Sequence, residues 1–380
     1  MRVLHVSDSY RPSLGGIQTQ VHRLAWHQRN AGDESFVLTS TAAHPGQHGR
    51  SLDVDDGVPV FRLTARVPGN LPIHGWPLPH ARELLDRLRP DVVHFHVGGV
   101  TPTTQAIIPL AVARGIAGIV TVHSVWRPRT AIPLYAALDR AVGWSRWPIV
   151  LTAVSELAAR PVRRASGGRA EVGVLRNGVD IPLWRTRQAL GPESVDRPLH
   201  AVSAGRFAPR KRMLELVRAL LRAHRADGVA GRLQVTLAGV GPQLEAARTL
   251  VRAAGAESWL RLPGRFELPA LIELYRTADV YLAPGVDDAF SVAVQEARAA
   301  GLAIVSRSQS GAAELLVDEV DGLLAHDDDA LSAAVVQLVR DRALLHRILA
   351  HNYAVPPPTQ WPAVLAEATG LYRSARSLIG

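Results

Sequence analysis

The chain has 380 residues, 47% of them hydrophobic and 20% charged, with a formal net charge of +9. That length exceeds one ordinary hydrophobic core and fits two domains of normal size. With no cysteine in the sequence, disulfides, a thiolate metal site and a cysteine nucleophile are all excluded.

The N-terminus, Met1-Arg2-Val3-Leu4-His5-Val6-Ser7-Asp8, is too short an apolar run for a signal peptide and reads as a first strand. No stretch approaches the apolar length that spans a bilayer, so the expected setting is cytoplasmic. Short apolar runs at 3–6, 36–38, 58–61, 92–95, 119–122 and 149–154 read as strands of a first half. Runs at 201–204, 233–238, 259–262, 280–283 and 303–306 do the same in a second half. Segments such as 213–224 and 244–254 lie between strands and have helical spacing. Continuous apolar strands are those covered by helices on both faces. Alternating strand and helix implies parallel sheets with right-handed crossovers. The pattern occurs twice, which predicts an α/β protein of two Rossmann-like, doubly wound domains facing each other across a cleft.

The boundary is expected near Asn177-Gly178-Val179-Asp180-Ile181-Pro182, where Asn-Gly favours a turn and Pro182 ends regular pairing. The expected domains are therefore 1–180 and 181–360, with 185–198 as linker. Trp361, Val364, Leu365, Ala368, Leu371 and Tyr372 fall on one face of a final helix. That helix, within 361–380, is expected to cross back to the N-terminal domain.

Ligands of open α/β sheets bind outside the carboxyl ends of the strands, so the loops after strands carry the chemistry. After the first strand, Ser13-Leu14-Gly15-Gly16-Ile17-Gln18 precedes a helix. Two glycines permit close backbone approach, and a helix start offers free N–H groups to an anion; a plain tight turn is the alternative. His123, in Thr121-Val122-His123-Ser124, stands at a strand end. His94 and His96 are two apart on one strand and share a face, but no carboxylate partner is evident, so no metal site is assigned.

In the second half, Gly205-Arg206 leads to Lys211, the single lysine of the chain. A compact ammonium kept in so arginine-rich a sequence points to a place where a planar guanidinium does not fit. A fork plus a point charge suits a diphosphate. Gly239-Val240-Gly241-Pro242 is a strand-to-helix turn that fails as a GxGxxG match because Leu244 takes the last position; it reads as a packing turn under a nucleotide. Further on, Asp288 precedes a helix and Glu296 lies two turns into it, with Ser291 and Val292 at the helix start. Such a start meets phosphate through backbone N–H groups, and the two carboxylates can accept ribose and sugar hydroxyls. The alternative is that Asp288 merely caps the helix. Ser308-Gln309-Ser310-Gly311-Ala312-Ala313-Glu314 repeats the pattern of strand, small-residue loop and helix.

In this order and spacing, Gly15-Gly16, His123, Asn177-Gly178-Val179-Asp180, Arg206…Lys211, Asp288…Glu296 and Gly311…Glu314 resemble the retaining nucleotide-sugar glycosyltransferases of family 4. The resemblance runs over essentially the whole chain and implies the two-domain GT-B fold. It implies a donor such as a UDP- or GDP-sugar as co-substrate, no separate cofactor and no metal. Gly15 and Gly16 would place backbone against the donor diphosphate, which Arg206 and Lys211 would clamp. His123 would contact the transferred sugar, Glu296 the ribose, and the amides at Ser291 and Val292 the sugar or phosphates. Asp288 stands where the family usually has Glu, and Ser291 where it usually has Gly. The shorter carboxylate retreats from the sugar hydroxyls.

The implied reaction moves a hexose-type sugar to an acceptor hydroxyl on a small molecule, a glycan or a lipid-linked sugar, with the acceptor expected around 10–20, 64–80 and 97–103. Residues 1–180 carry 20 basic and 13 acidic residues, a net of +7, against 23 and 21, a net of +2, in 181–380. That excess suits an anionic partner or simply aids solubility. Arg140-Ala141-Val142-Gly143-Trp144-Ser145-Arg146-Trp147 mixes Arg with Trp, as a headgroup region does. Peripheral contact with an inner membrane face is one expectation and half-buried helix packing the other. The basic residues are scattered without a recognition motif, so nucleic acid is not an expected partner. A nucleotide-sugar epimerase and a non-catalytic sugar-nucleotide binder are the alternative functions.

Overall fold

The computed structural model describes residues 1–13, 15–65, 76–99, 101–185 and 197–380. The linker expected at 185–198 falls mostly outside the described residues. So do residue 14, residues 66–75 and residue 100 of the expected acceptor segments. The described chain forms two compact units, Met1–Gly178 with Trp361–Gly380, and Val179–Gln360.

The first unit carries β1 (Arg2–Ser7), α1 (Gly16–Asn30), β2 (Glu34–Thr39), β3 (Gly49–Asp55), β4 (Val58–Thr64), α2 (Pro77–Leu88), β5 (Val92–Val97), α3 (Pro102–Ala113), β6 (Ala117–Val122), α4 (Ala131–Val142), β7 (Ile149–Ala153), α5 (Glu156–Ala165) and β8 (Val172–Val174). Among the described residues its sheet runs β3-β4-β2-β1-β5-β6-β7-β8. Every pairing is parallel except β3 with β4, an antiparallel hairpin at the edge. β5 and β6 are buried along their whole length, as strands covered by helices on both faces must be.

The second unit carries α6 (Ile181–Trp184), β9 (Leu199–Ala204), α7 (Met213–His224), β10 (Leu233–Ala238), α8 (Leu244–Ala253), β11 (Leu260–Gly264), α9 (Leu268–Thr277), β12 (Val280–Ala283), α10 (Val292–Ala299), β13 (Ala303–Arg307), β14 (Gly322–Ala325), α11 (Asp328–Arg340) and α12 (Arg342–Ala354). Its sheet is parallel throughout, ordered β11-β10-β9-β12-β13-β14. On α7, Met213, Leu216, Val217, Leu220 and Ala223 are buried, a spacing that gives one apolar stripe against the sheet.

The last helix, α13 (Trp361–Ser377), returns to the first unit. It lays Trp361, Val364, Ala368, Tyr372 and Ala375 against Val3, Leu24, Val92, Ala117, Ile119 and Leu175. At its start, Trp361 packs directly on Gly178, where an added Cβ would stand 2.5 Å from the indole. Gln20 holds the same glycine by accepting from its N–H and donating to its carbonyl, both at 2.9 Å.

The strand order reverses between β1 and β5 in the first sheet and between β9 and β12 in the second. A crevice opens at such a switch point, at the carboxyl ends of the strands. The loops after β1, β9 and β12 are the ones that carry Gly15-Gly16, Arg206…Lys211 and Asp288.

Candidate active site

In the second unit, the segment after β9 is zipped onto the turn after β10. Gly205 N–H donates to the Ala238 carbonyl at 3.0 Å, Phe207 N–H to Val240 at 2.9 Å, and Gln243 N–H to Phe207 at 2.9 Å. Extended pairing sends alternate side chains to opposite sides. Phe207 is therefore fully buried, while Arg206 beside it is exposed. No hydrogen bond or ion pair engages the Arg206 guanidinium among the described residues.

Gly239 and Gly241 make that close approach possible. Both have positive φ, 147° and 153°. A Cβ at Gly239 would fall 1.8 Å from the Gly205 carbonyl oxygen, and one at Gly241 would fall 2.4 Å from that of Phe207. Neither obstacle is a flexible side chain, so any larger residue displaces the Arg206 segment. The two glycines act on the Arg206 loop itself. Gly15 differs: its φ of 163° is ordinary extended backbone, and the nearest atoms an added Cβ would meet are at the end of the Gln18 side chain.

Lys211 ends a 3-10 turn, Pro209–Lys211, just before α7. Its Nζ lies 2.7 Å from Asp288 Oδ2, so the single lysine is paired across the reversal between β9 and β12. Asp288 is thus a lysine partner, which sequence reasoning treated as either a sugar contact or a helix cap. Its backbone also accepts from Gly311 N–H at 2.8 Å, which ties the loop after β13 to the site.

Ser291 precedes α10 with φ 58° and ψ 77°, and its side chain caps nothing. A non-glycine residue in this left-handed region costs about 1 kcal/mol. The sequence therefore carries strain at a position where glycine would carry none. Val292 begins the helix. Glu296 is half-buried one turn into α10, not two as its spacing from Asp288 suggested, because the helix starts only at Val292. Tyr281, whose hydroxyl donates to the Ala204 carbonyl at 3.1 Å, registers the local field. Burial pushes its ionisation up, and the carboxylates of Glu296 and Asp288 push it further. Arg206, Lys211, Asp288, Ser291 and Glu296 thus gather at the carboxyl ends of β9 and β12. A groove of about 610 Å³ between α7 and α11 lies elsewhere, around Arg222, Asp329 and Arg340.

In the first unit, His123 follows β6, with Nε2 3.0 Å from His96 Nδ1. Desolvation holds its ring neutral, with a pKa of about 4. It shares a cavity of about 20 Å³ with His96, Gln20 and Asn177, room for one water. His96 continues to His5, with Nε2 to Nδ1 at 3.0 Å. Sequence reasoning missed His5, Gln28 and Tyr372, which extend this network. The signal was present, because a histidine inside an apolar buried run such as β1 needs a partner.

His5, His94 and His96 bring ring nitrogens within 4.8 Å of one another. Each of those nitrogens already takes a protein partner, so a cation could enter only by breaking the network. Asp8, after β1, accepts from the N–H groups of Thr103 and Thr104 at 3.0 and 2.7 Å. It caps α3 from within the switch point, and burial pushes its carboxyl up.

Trp144, one of the two tryptophans suited to a headgroup region, is buried, and its indole N–H donates to the Tyr135 carbonyl at 2.9 Å. Packing, not membrane contact, explains that residue. The exposed apolar side chains nearby are instead Leu134, Leu138 and Val142, one stripe along α4. Among the described residues, no helix is long and apolar enough to cross a membrane.

The family description Glycosyltransferase Family 4 matches residues 14–182, and Glycosyl transferases group 1 matches residues 198–341. A GDP-mannose-dependent alpha-mannosyltransferase of Mycolicibacterium smegmatis is 28% identical over 98% of this chain and 97% of its own. A glycogen synthase of Mycobacterium tuberculosis is 26% identical over 99% and 95%. Among solved structures, Anabaena HepE in complex with UDP superposes with a TM-score of 0.76 at 17% identity, covering 98% and 100% of the two chains. Sucrose-phosphate synthase of Thermosynechococcus elongatus gives 0.75 at 18%, covering 99% and 100%. At such identities the structures speak to the fold alone, which is GT-B. With one family description on each half and full-length relatives of one enzyme class, the chain belongs to glycosyltransferase family 4.

Proposed function

We propose that this glycosyltransferase moves a hexose-type sugar from a nucleotide-diphosphate donor to an acceptor hydroxyl with retention at the anomeric carbon. The observation that carries this reading is Lys211, paired with Asp288 at 2.7 Å beside the exposed Arg206 at the strand-order reversal. A donor diphosphate competes with Asp288 for the ammonium and takes the exposed Arg206 fork. The carboxylate is then released toward the sugar hydroxyls. The names of relatives that use GDP-mannose, and of a structural neighbour holding UDP, support the donor class.

In the proposed step the acceptor oxygen bonds to the anomeric carbon on the face that the diphosphate leaves. The bond from carbon to phosphate oxygen breaks, and its electrons go to the diphosphate. A leaving phosphate oxygen takes the acceptor's proton. Charge grows on the diphosphate as it departs, and preformed cations aimed at it supply the main stabilisation. Arg206 and Lys211 fill that role without a divalent ion. Glu296 binds the ribose, His123 the transferred sugar, and the amides at the start of α10, at Ser291 and Val292, the sugar or phosphates.

The test is thermal stabilisation by UDP, GDP, ADP and dTDP, each with and without magnesium. A ligand that binds only the folded state raises the melting temperature with its occupancy, by about 2.7 kcal/mol of stability at a hundred times Kd. One nucleotide is expected to stabilise the protein equally with and without magnesium. No shift with any of the four would end the diphosphate reading.

The stripe of Leu134, Leu138 and Val142, 66%, 42% and 49% exposed and close in sequence to the exposed Arg140 and Arg146, favours an acceptor at a membrane surface. An apolar face beside arginines suits the headgroup boundary of an anionic leaflet. The protein is expected to cosediment with anionic vesicles, and Leu134→Ser with Leu138→Ser to release it. A parent protein that stays in the supernatant would refute the membrane acceptor.

A further inference from the structure

The hydrogen bonds behind His123 have one consistent direction, which a single acceptor-only group sets. Thr152 Oγ1 lies 3.1 Å from the Val120 carbonyl oxygen and must donate to it. Its one proton is then used, so it accepts from Thr121 Oγ1 at 2.7 Å. Thr121 in turn accepts from His94 Nε2 at 2.7 Å. His94 is neutral, because burial drives its pKa well below the ordinary value. With Nε2 protonated, its Nδ1 is bare and accepts from the Tyr372 hydroxyl at 2.9 Å.

The Tyr372 oxygen accepts from Gln28 Nε2 at 2.9 Å. That fixes the amide with Oε1 toward His5 Nε2, 2.7 Å away. Ser35 Oγ, at 3.0 Å, donates to the same oxygen. His5 therefore carries its proton on Nε2, and its bare Nδ1 accepts from His96 Nε2 at 3.0 Å. The bare Nδ1 of His96 accepts from His123 Nε2 at 3.0 Å. Each neutral imidazole has one donor and one acceptor nitrogen, so the direction propagates through every ring. It ends at His123 Nδ1, which has a free lone pair and no protein partner among the described residues.

We propose that this chain, from Val120 through Thr152, Thr121, His94, Tyr372, Gln28, His5 and His96, is a positioning device that holds His123 in its Nε2–H tautomer. His123 then offers Nδ1 only as an acceptor, and the group it selects is a hydroxyl of the donor sugar. His5, His96, Gln28 and Tyr372 are positioning residues for transfer. The proposal rests on the reading that His123 contacts the sugar, and goes beyond it in assigning which nitrogen does so and what fixes it. A network satisfied at every member is rigid and specific, and it is disrupted when one member is lost.

The experiment is nitrogen NMR of the full chain labelled at the histidine rings, with kinetics on the same variants. In the parent protein, His5, His96 and His123 are expected to carry the proton on Nε2. Gln28→Met removes the amide at similar size, so both tautomers of His123 should appear. Tyr372→Phe keeps the ring packed and should loosen the same preference, and it serves if Gln28→Met does not fold. A proton on His123 Nδ1 in the parent, or an unchanged tautomer in both variants, would overturn the directed chain.

For transfer, each variant should lower kcat by about tenfold, the worth of one good hydrogen bond. KM for the donor should stay within about twofold, and the variants should have no further effect in a His123→Ala background. Tautomers that change with kcat intact would overturn the positioning role. Full activity in His123→Ala itself would instead sink the sugar-contact reading, a result separable from the tautomer measurement.

Discussion

Lys211→Ala is expected to lower kcat by about 10²- to 10³-fold, the loss typical when one preorganised electrostatic donor is removed from a site where charge develops. The melting temperature should change little. The Lys211 ammonium and its Asp288 partner are 33% and 19% exposed, and a pair so open to solvent contributes at most about 1 kcal/mol. Lys211→Arg should recover only part of the activity. A guanidinium is planar and forked where the site holds a point charge 2.7 Å from one carboxylate oxygen. Steady-state transfer with a saturating donor, beside a melting curve, separates the two effects. Near-normal turnover in Lys211→Ala would remove Lys211 from the clamp.

Acidification from pH 7 to pH 5 should destabilise the first unit by about 4 kcal/mol. Burial lowers His5 and His123 from 6.5 to about 4. The unfolded chain therefore binds protons more tightly, and stability rises with pH across this window. Each residue's contribution is present in full above about pH 6.5 and is lost as pH falls toward 4. For a shift of that size the linkage amounts to about 2 kcal/mol per residue by pH 5. His94 and His96, also driven down by burial, act in the same direction, and Asp8, driven up, opposes them. Net stabilities of folded domains are about 5–15 kcal/mol, so the loss is large. A fall of roughly 10 °C in the first unit's melting temperature is the expected reading for a unit of this size. A flat melting temperature from pH 7.5 to 5 would show that the histidines are solvated or already charged.

The fold was legible because buried parallel strands leave continuous apolar runs, as in β1, β5 and β12. β3 was not, because Gly49–Asp55 is an edge hairpin with Leu52 and Val54 turned to solvent among charged neighbours. β8 has three residues, too few for a period to register, and β14 opens on Gly322, a residue depleted in strands. Site residues were legible one loop at a time. Their partners were not, because the Lys211–Asp288 pair joins positions 77 apart. The histidine chain depends on strand register, which sets His5 opposite His94 and brings His96 to both His5 and His123. Register is a property of pairing that no single strand carries in its own residues.

The first unit is assembled from both ends of the chain, and this bears on the order in which the protein is made. Val3, Leu24, Val92 and Ile119 wait for Trp361, Val364 and Tyr372 to cover them. Those residues leave the ribosome after everything in Val179–Gln360. Domains usually fold in the order of synthesis. Here the second unit is complete while the first still displays an open apolar face, which the last helix closes. The hydroxyl of Tyr372 arrives with that helix, so the hydrogen-bond chain to His123 can be joined only after the whole of Val179–Gln360 has been made.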